Sequence, residues 1–227
     1  MKREMLGTVA AMEMAATAFS RPDSPPARHV RSMPVEQTVI TVLLLLFNLP
    51  LLRGVFSDAF VFAWPGLYEG EWWRVLTYPF VHVSWYHLLL DGAAFLLLYG
   101  MLGGSSRCER IAAVVTCAGL SLLTAMWLDA SGLSHGLCGL SGPAHGLAAM
   151  VALDLMRGGN EGRLRAAGLI AFLGVTVKSL VELVTGHVLF ATIHAGDVGL
   201  PVVTCHLGGV IGGIVAWTVI RVIQQTR

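Results

Sequence analysis

Six long, mostly apolar stretches, near 38–55, 86–103, 111–128, 140–156, 166–185 and 205–222, constrain what this chain can fold into more than any other feature. A bilayer core of about 30 Å takes about 20 apolar helical residues per crossing, because every backbone N–H and C=O within it must be satisfied inside the segment. The pattern predicts an all-α, polytopic membrane protein built as a six-helix bundle. Composition agrees, with 55% hydrophobic and 13% charged residues and a mean hydropathy of +0.70. The six stretches use most of the 227 residues and leave no room for a soluble catalytic domain. Residues 1–36 differ: Pro22, Pro25, Pro26 and Pro34 stand among scattered charges with no continuous apolar run. They are expected to form a flexible tail, with residues 37–227 as the membrane domain. A signal peptide fits less well, because Glu13 interrupts Met5–Ala18 and no cleavage-like site follows.

Lys and Arg residues set the expected orientation, since cytoplasmic loops retain positive charge. One side would carry twelve of the fifteen, from Lys2 and Arg3 through Arg107, Arg110, Arg157 and Arg163 to Arg227; the other has Arg53 and Arg74, and Lys178 lies within the fifth span. Both termini are therefore expected to be cytoplasmic. The net charge is +1, so topology explains the basic residues and no nucleic-acid partner is expected.

With that topology, seven of the eight histidines fall on the outward side: His82, His87, His135, His145, His187, His194 and His206. For His135, His187 and His194, helix capping or contact with headgroup water is sufficient. His206 and His87 sit in more telling surroundings. Gly139-Leu140-Ser141-Gly142-Pro143 opens the fourth span, placing Ser141 at a helix N-terminus where free N–H groups and the dipole favour a developing anion. Alone, Ser141 reads as an N-cap with packing glycines around it. His206 opens the sixth span above Gly209 and Gly213, four residues apart, a stripe that lets another helix approach closely. If the fourth span faces it with Gly142 and Gly146, Ser141 and His206 meet at one depth, and a serine hydroxyl needs such a base to act as nucleophile.

These elements resemble the rhomboid intramembrane proteases, which carry a GxSGxxxG serine helix and an HxxGxxxG histidine helix. Gly139, Ser141, Gly142 and Gly146 fill the first pattern, and His206, Gly209 and Gly213 the second. Upstream, Trp72-Trp73-Arg74 is similar to the Trp-Arg segment of the family's first outward loop, and His87-Leu88-Leu89-Leu90-Asp91 to its HxxxN element. The resemblance covers about residues 38–222. The Gly-Leu-Ser-Gly variant, the minimal size and Asp197–Pro201 leading into His206 look most like the rhombosortase branch. That likeness implies a bacterial inner-membrane protease that removes C-terminal Gly-Gly-type sorting tails from exported, membrane-anchored proteins.

The resemblance implies that Ser141 attacks the scissile carbonyl and His206 takes its proton, with the Ser141 N–H and His87 receiving the oxyanion. Asp91 replaces the family's Asn in that hole. An ionised carboxylate there would repel the oxyanion, so Asp91 either stays protonated, points elsewhere or orients a histidine. Lys178 and Glu182, one turn apart inside the fifth span, are expected to form a structural ion pair. Arg74 is expected to anchor the first loop at headgroup depth. If Ser141 and His206 are close, Cys138 and Cys205 become candidates for a disulfide. No cofactor or metal is expected, since paired His/Cys ligand spacings and an H-E-x-x-H motif are missing. The alternatives are a catalytically inactive relative that binds transmembrane segments and a His-lined metal-binding membrane protein.

Overall fold

The computed structural model describes residues 34–102, 105–129, 133, 136–158, 162–189 and 195–226. Most of the expected N-terminal tail, with His29, and the loop histidines His135 and His194 lie outside the described residues. The elements in chain order are α1 (Val35–Phe47), α2 (Trp64–Tyr68), α3 (Arg74–Thr77), α4 (Trp85–Met101), α5 (Arg107–Leu128), α6 (Ser141–Gly158), α7 (Gly162–Thr185) and α8 (Thr204–Gln225). Short 3-10 turns follow α1 at Leu49–Arg53 and α3 at Tyr78–Phe80, and another covers Asp58–Phe60. Among the described residues, β structure is limited to one bridge, Phe62 to Leu137.

Each of the six apolar stretches becomes a helix, but they do not all read as membrane spans. Val35–Arg53, α5, α7 and α8 are long and apolar enough to cross, and the bent pair Arg74–Phe80 with Trp85–Met101, which turns by 93°, makes a fifth if counted as one. The fourth stretch, α6, is left out for a physical reason. It packs against α4, α5, α7 and α8 and buries Gly142, Ala144, Gly146, Ala149 and Ala152. A helix surrounded by protein needs small residues for close approach rather than large ones for lipid. By contrast α7 exposes Leu169, Ile170, Leu173, Val177 and Val184, as a lipid-facing helix should.

The first helix begins at Val35, inside the stretch expected to be tail. Glu36 explains the earlier start: its carboxylate accepts from Arg110 Nε at 2.9 Å and is buried, which fixes the first turn against α5. At the start of α5, Ser106 and Glu109 form a reciprocal capping box, satisfying two N–H groups that would otherwise lack partners.

The centre of the bundle is held by glycines. A Cβ on Gly209 would fall on the Gly142 carbonyl, and one on Gly213 on the Gly146 carbonyl. Gly212 meets the Cys117 backbone of α5 in the same way, at 2.7 Å from its Cα. α8 therefore lies in backbone contact with α6 on one side and α5 on the other. Below this level Phe95, Tyr99, Leu147 and Met150 form a buried cluster, and Phe62, Tyr78, Leu133 and Leu137 form a second one beneath the first long loop.

Candidate active site

The start of α6 is shaped by Gly139. Its φ of 96° is in the left-handed region, which glycine adopts without strain. A Cβ there would lie 2.8 Å from Asp91 Oδ2 and 2.9 Å from His87 Nε2, so the position has neither the space nor the backbone freedom for a side chain. The Gly139 N–H donates to the Tyr78 carbonyl at 3.0 Å, and the Leu140 N–H to Asp91 Oδ2 at 3.0 Å. This holds Ser141 at the first position of α6, where its own N–H has no partner within the helix.

His206, in the first turn of α8, is buried. Its Nδ1 lies 2.7 Å from Glu182 Oε2. The other carboxylate oxygen of Glu182 accepts from Lys178 Nζ at 2.7 Å and from the Leu189 N–H at 2.8 Å. Lys178 Nζ also lies 3.0 Å from His145 Nε2, and His145 Nδ1 lies 2.7 Å from the Ser141 carbonyl oxygen. A carbonyl and a carboxylate oxygen only accept, and an ammonium only donates. The network therefore assigns the Nδ1–H tautomer to both His145 and His206, leaving His206 Nε2 with a free lone pair. The two imidazoles stack with centroids 4.2 Å apart and planes 11° from parallel.

On the facing wall, His87 Nε2 lies 3.1 Å from Asp91 Oδ2, and His82 Nε2 lies 3.9 Å from the same oxygen. Ser84 caps α4 by accepting from the His87 N–H at 3.0 Å. Asn48 fixes His82 by accepting its N–H at 2.8 Å. Burial in the loop before α4 pushes the His82 imidazole down to about 4, so this histidine is neutral near pH 7.

Both walls border one cavity of about 480 Å³, lined by Ser141, His206, His145, Lys178, His87 and Asp91 together with apolar side chains of α4 and of the segment before α8. The cavity is walled by α4, the start of α6 and the segment leading into α8, with Lys178 reaching it from α7; among the described residues α4 and α7 make no extensive contact with each other. Ser141 Oγ has Cys205 Sγ at 3.9 Å and forms no hydrogen bond to His206 among the described residues. Catalytic hydrogen bonds are often open in unliganded sites and tighten in the complex.

One expectation is corrected. Cys138 and Cys205 are free thiols, so the bridge does not form here. Cys205 instead turns its sulfur toward Ser141, and burial, with Asp91 adding to it, pushes the Cys138 thiol up to about 12, far from the thiolate that disulfide formation needs. Arg74, expected to anchor the first loop, ties that loop together through its side-chain bonds. Its guanidinium donates to the Asp58 and Val61 carbonyls at 2.5 and 2.7 Å and pairs with Glu71 at 2.6 Å, folding the first loop so that Val61 becomes part of the cavity wall.

The pair Lys178–Glu182 forms as expected, but its further partners are new. His145 and the Glu182–His206 contact are the site features that sequence reasoning missed. The signals were present: His145 follows Ser141 by four residues, one turn along the same helix face, and a carboxylate inside a span needs more than a neighbouring lysine when fully buried. The donor atoms of His145, Glu182 and His206 lie within 4.8 Å of one another, close enough to hold a metal ion. Lys178 Nζ, bonded to two of the three residues, already supplies the positive charge there.

No curated protein and no solved structure matches the chain. The model of the Rhomboid domain matches residues 69–222, from the first loop into α8, and takes in the cavity-lining residues from Val83 to His206. The chain thus belongs to the rhomboid family of multi-pass membrane proteins, whose members are generally serine intramembrane proteases.

Proposed function

We propose that this protein is a serine intramembrane endopeptidase in which Ser141 is the nucleophile and His206 the general base. The observation that carries this reading is the shared cavity: Ser141 at a helix N-terminus and His206, its Nδ1 already bonded, line the same space. In the reaction Ser141 Oγ attacks the scissile carbonyl as its proton passes to His206 Nε2. The same proton then leaves on the departing amine, and water hydrolyses the acyl-enzyme by the reverse use of His206. The Ser141 N–H faces the developing oxyanion, and His87, its Nε2 held at Asp91 Oδ2, lines the same cavity. Asp91, which accepts from Leu140 and His87, acts as an ionised carboxylate that orients His87 and the turn before the nucleophile.

The substrate is a membrane-anchored protein that enters between α4 and α7. Its cleaved segment carries small or helix-weakening residues, because an intact helix hides the scissile carbonyl. In the finer reading all six apolar helices cross the membrane, both termini are cytoplasmic, and the enzyme is a rhombosortase-like protease of a bacterial inner membrane acting on Gly-Gly-type C-terminal sorting tails. The test is cleavage in proteoliposomes of an exported-type chain ending in Gly-Gly, a transmembrane segment and a basic tail. Release of the ectodomain by the wild type, lost on replacing the Gly-Gly pair with Val-Val, supports the branch. Equal release from both substrates leaves a rhomboid protease of different specificity.

A second reading, an inactive relative that binds transmembrane segments, draws on Asp91, whose charge stands where an amide donor is expected. It predicts retention of the same substrate without cleavage.

A further inference from the structure

Three buried or half-buried polar residues, Glu182, Lys178 and His145, have no part in the chemistry of the dyad as described so far. Glu182 is fully buried in a helix that exposes much of its apolar surface, a costly place for a carboxylate unless its bonds are used. All of its partners are accounted for. Lys178 and the Leu189 N–H take Oε1, and His206 takes Oε2 at 2.7 Å. The structure therefore holds a carboxylate against His206 Nδ1 and leaves Nε2 as the nitrogen free to act as base.

We propose that Glu182 is the third member of a Ser141–His206–Glu182 triad, positioned by Lys178, with His145 as a neutral plate beneath the base. The inference rests on the assignment of Ser141 and His206 as nucleophile and base. When His206 Nε2 takes the Ser141 proton, the ring becomes an imidazolium whose Nδ1–H already points at an anion. Glu182 stabilises that charge and does not itself accept the proton. Lys178 satisfies the far oxygen, so the carboxylate stays oriented while fully buried. By donating to His145 Nε2, Lys178 also keeps His145 in its Nδ1–H form, bonded to the Ser141 carbonyl. The stacked ring then restrains His206 without placing a second positive charge against it. Lys178, Glu182 and His145 are positioning residues; none touches the scissile bond.

The test uses full-length protein in proteoliposomes, the rate of covalent labelling of Ser141 by a fluorophosphonate, and steady-state cleavage of a transmembrane substrate. Glu182→Gln is expected to lower kcat and the labelling rate by about 100-fold or more with KM little changed, since a wrong or mobile tautomer removes the base and not the binding site. Glu182→Asp should recover part of that loss. In wild-type protein carrying 15N-histidine, the His206 resonance, assigned with His206→Gln, should show the Nδ1–H tautomer, and the Nε2–H form should gain population in Glu182→Gln. Labelling of Glu182→Gln within threefold of wild type would overturn the triad while leaving the dyad intact. A wild-type His206 in the Nε2–H form would do so even if every Glu182 variant failed to fold. Absence of wild-type labelling at Ser141 would instead reject the dyad on which the proposal stands.

Discussion

Replacing Ser141 or His206 by alanine is expected to abolish cleavage, and the double replacement to cost no more than either single one, because the two act as one chemical unit. Membrane insertion should be unchanged, as it is driven by the apolar helices, and the α6–α8 backbone contact is made by glycines. Turnover by either single variant, measured against equal amounts of inserted protein, would reject their roles. Asp91 permits a sharper distinction. As a carboxylate it accepts from Leu140 and His87, and weakening such charge-assisted bonds costs about 1.5–3 kcal/mol. Asp91→Asn should then reduce kcat by about 10- to 100-fold. A protonated Asp91 donating to the oxyanion predicts the opposite, an Asp91→Asn enzyme at least as active as the wild type. Residue chemistry was readable where a motif carried it: Gly139, Ser141 and His206 were named from the family patterns they fill, since spacing alone leaves Ser141 an N-cap. Glu182 could be named only with Lys178, because its bond to His206 crosses from α7 to α8, and spacing within one helix says nothing about the rotation of the next.

Between elements, the decisive contact is backbone on backbone. With the Gly142 and Gly146 carbonyls where the Cβ atoms of Gly209 and Gly213 would be, an added methyl must push α8 away from α6. Gly209→Ala and Gly213→Ala are expected to destabilise the fold by about 1–3 kcal/mol, the usual cost of overpacking. Gly209→Ala should also lower activity, by separating the serine and histidine helices. Gly174→Ala on α7 is the control, since a Cβ there meets nothing within 4 Å; it should be tolerated in both respects. Thermal unfolding in detergent checks the three variants, and equal melting temperatures for Gly209→Ala and Gly174→Ala would refute the close contact. The glycine spacing made this pairing readable, whereas the hydropathy of α6 did not reveal that it is enclosed by four other helices. The early start of α1 was also hidden, because the buried Glu36–Arg110 pair joins residues far apart in sequence.

The described helices form a bundle whose outer face is apolar, and the proposed hydrolysis brings water inside it. The polar groups assigned to the proposed reaction converge from α4, α6, α7 and α8 on one cavity, and the first loop, tied down by Arg74, closes one side of it. Arg74→Ala should loosen that wall and lower activity, with Arg74→Lys recovering little because one ammonium cannot replace the two carbonyl bonds and the Glu71 pair. Proteolytic nicking within residues 54–80 of the reconstituted variant checks this, and a loop as resistant as that of the wild type would contradict it. The most direct measurement of the central claim is fluorophosphonate labelling of the reconstituted full-length protein, with the modified peptide identified by mass spectrometry. Stoichiometric modification at Ser141, absent from His206→Ala, is the predicted result; an unmodified Ser141, or equal modification with and without His206, would contradict it.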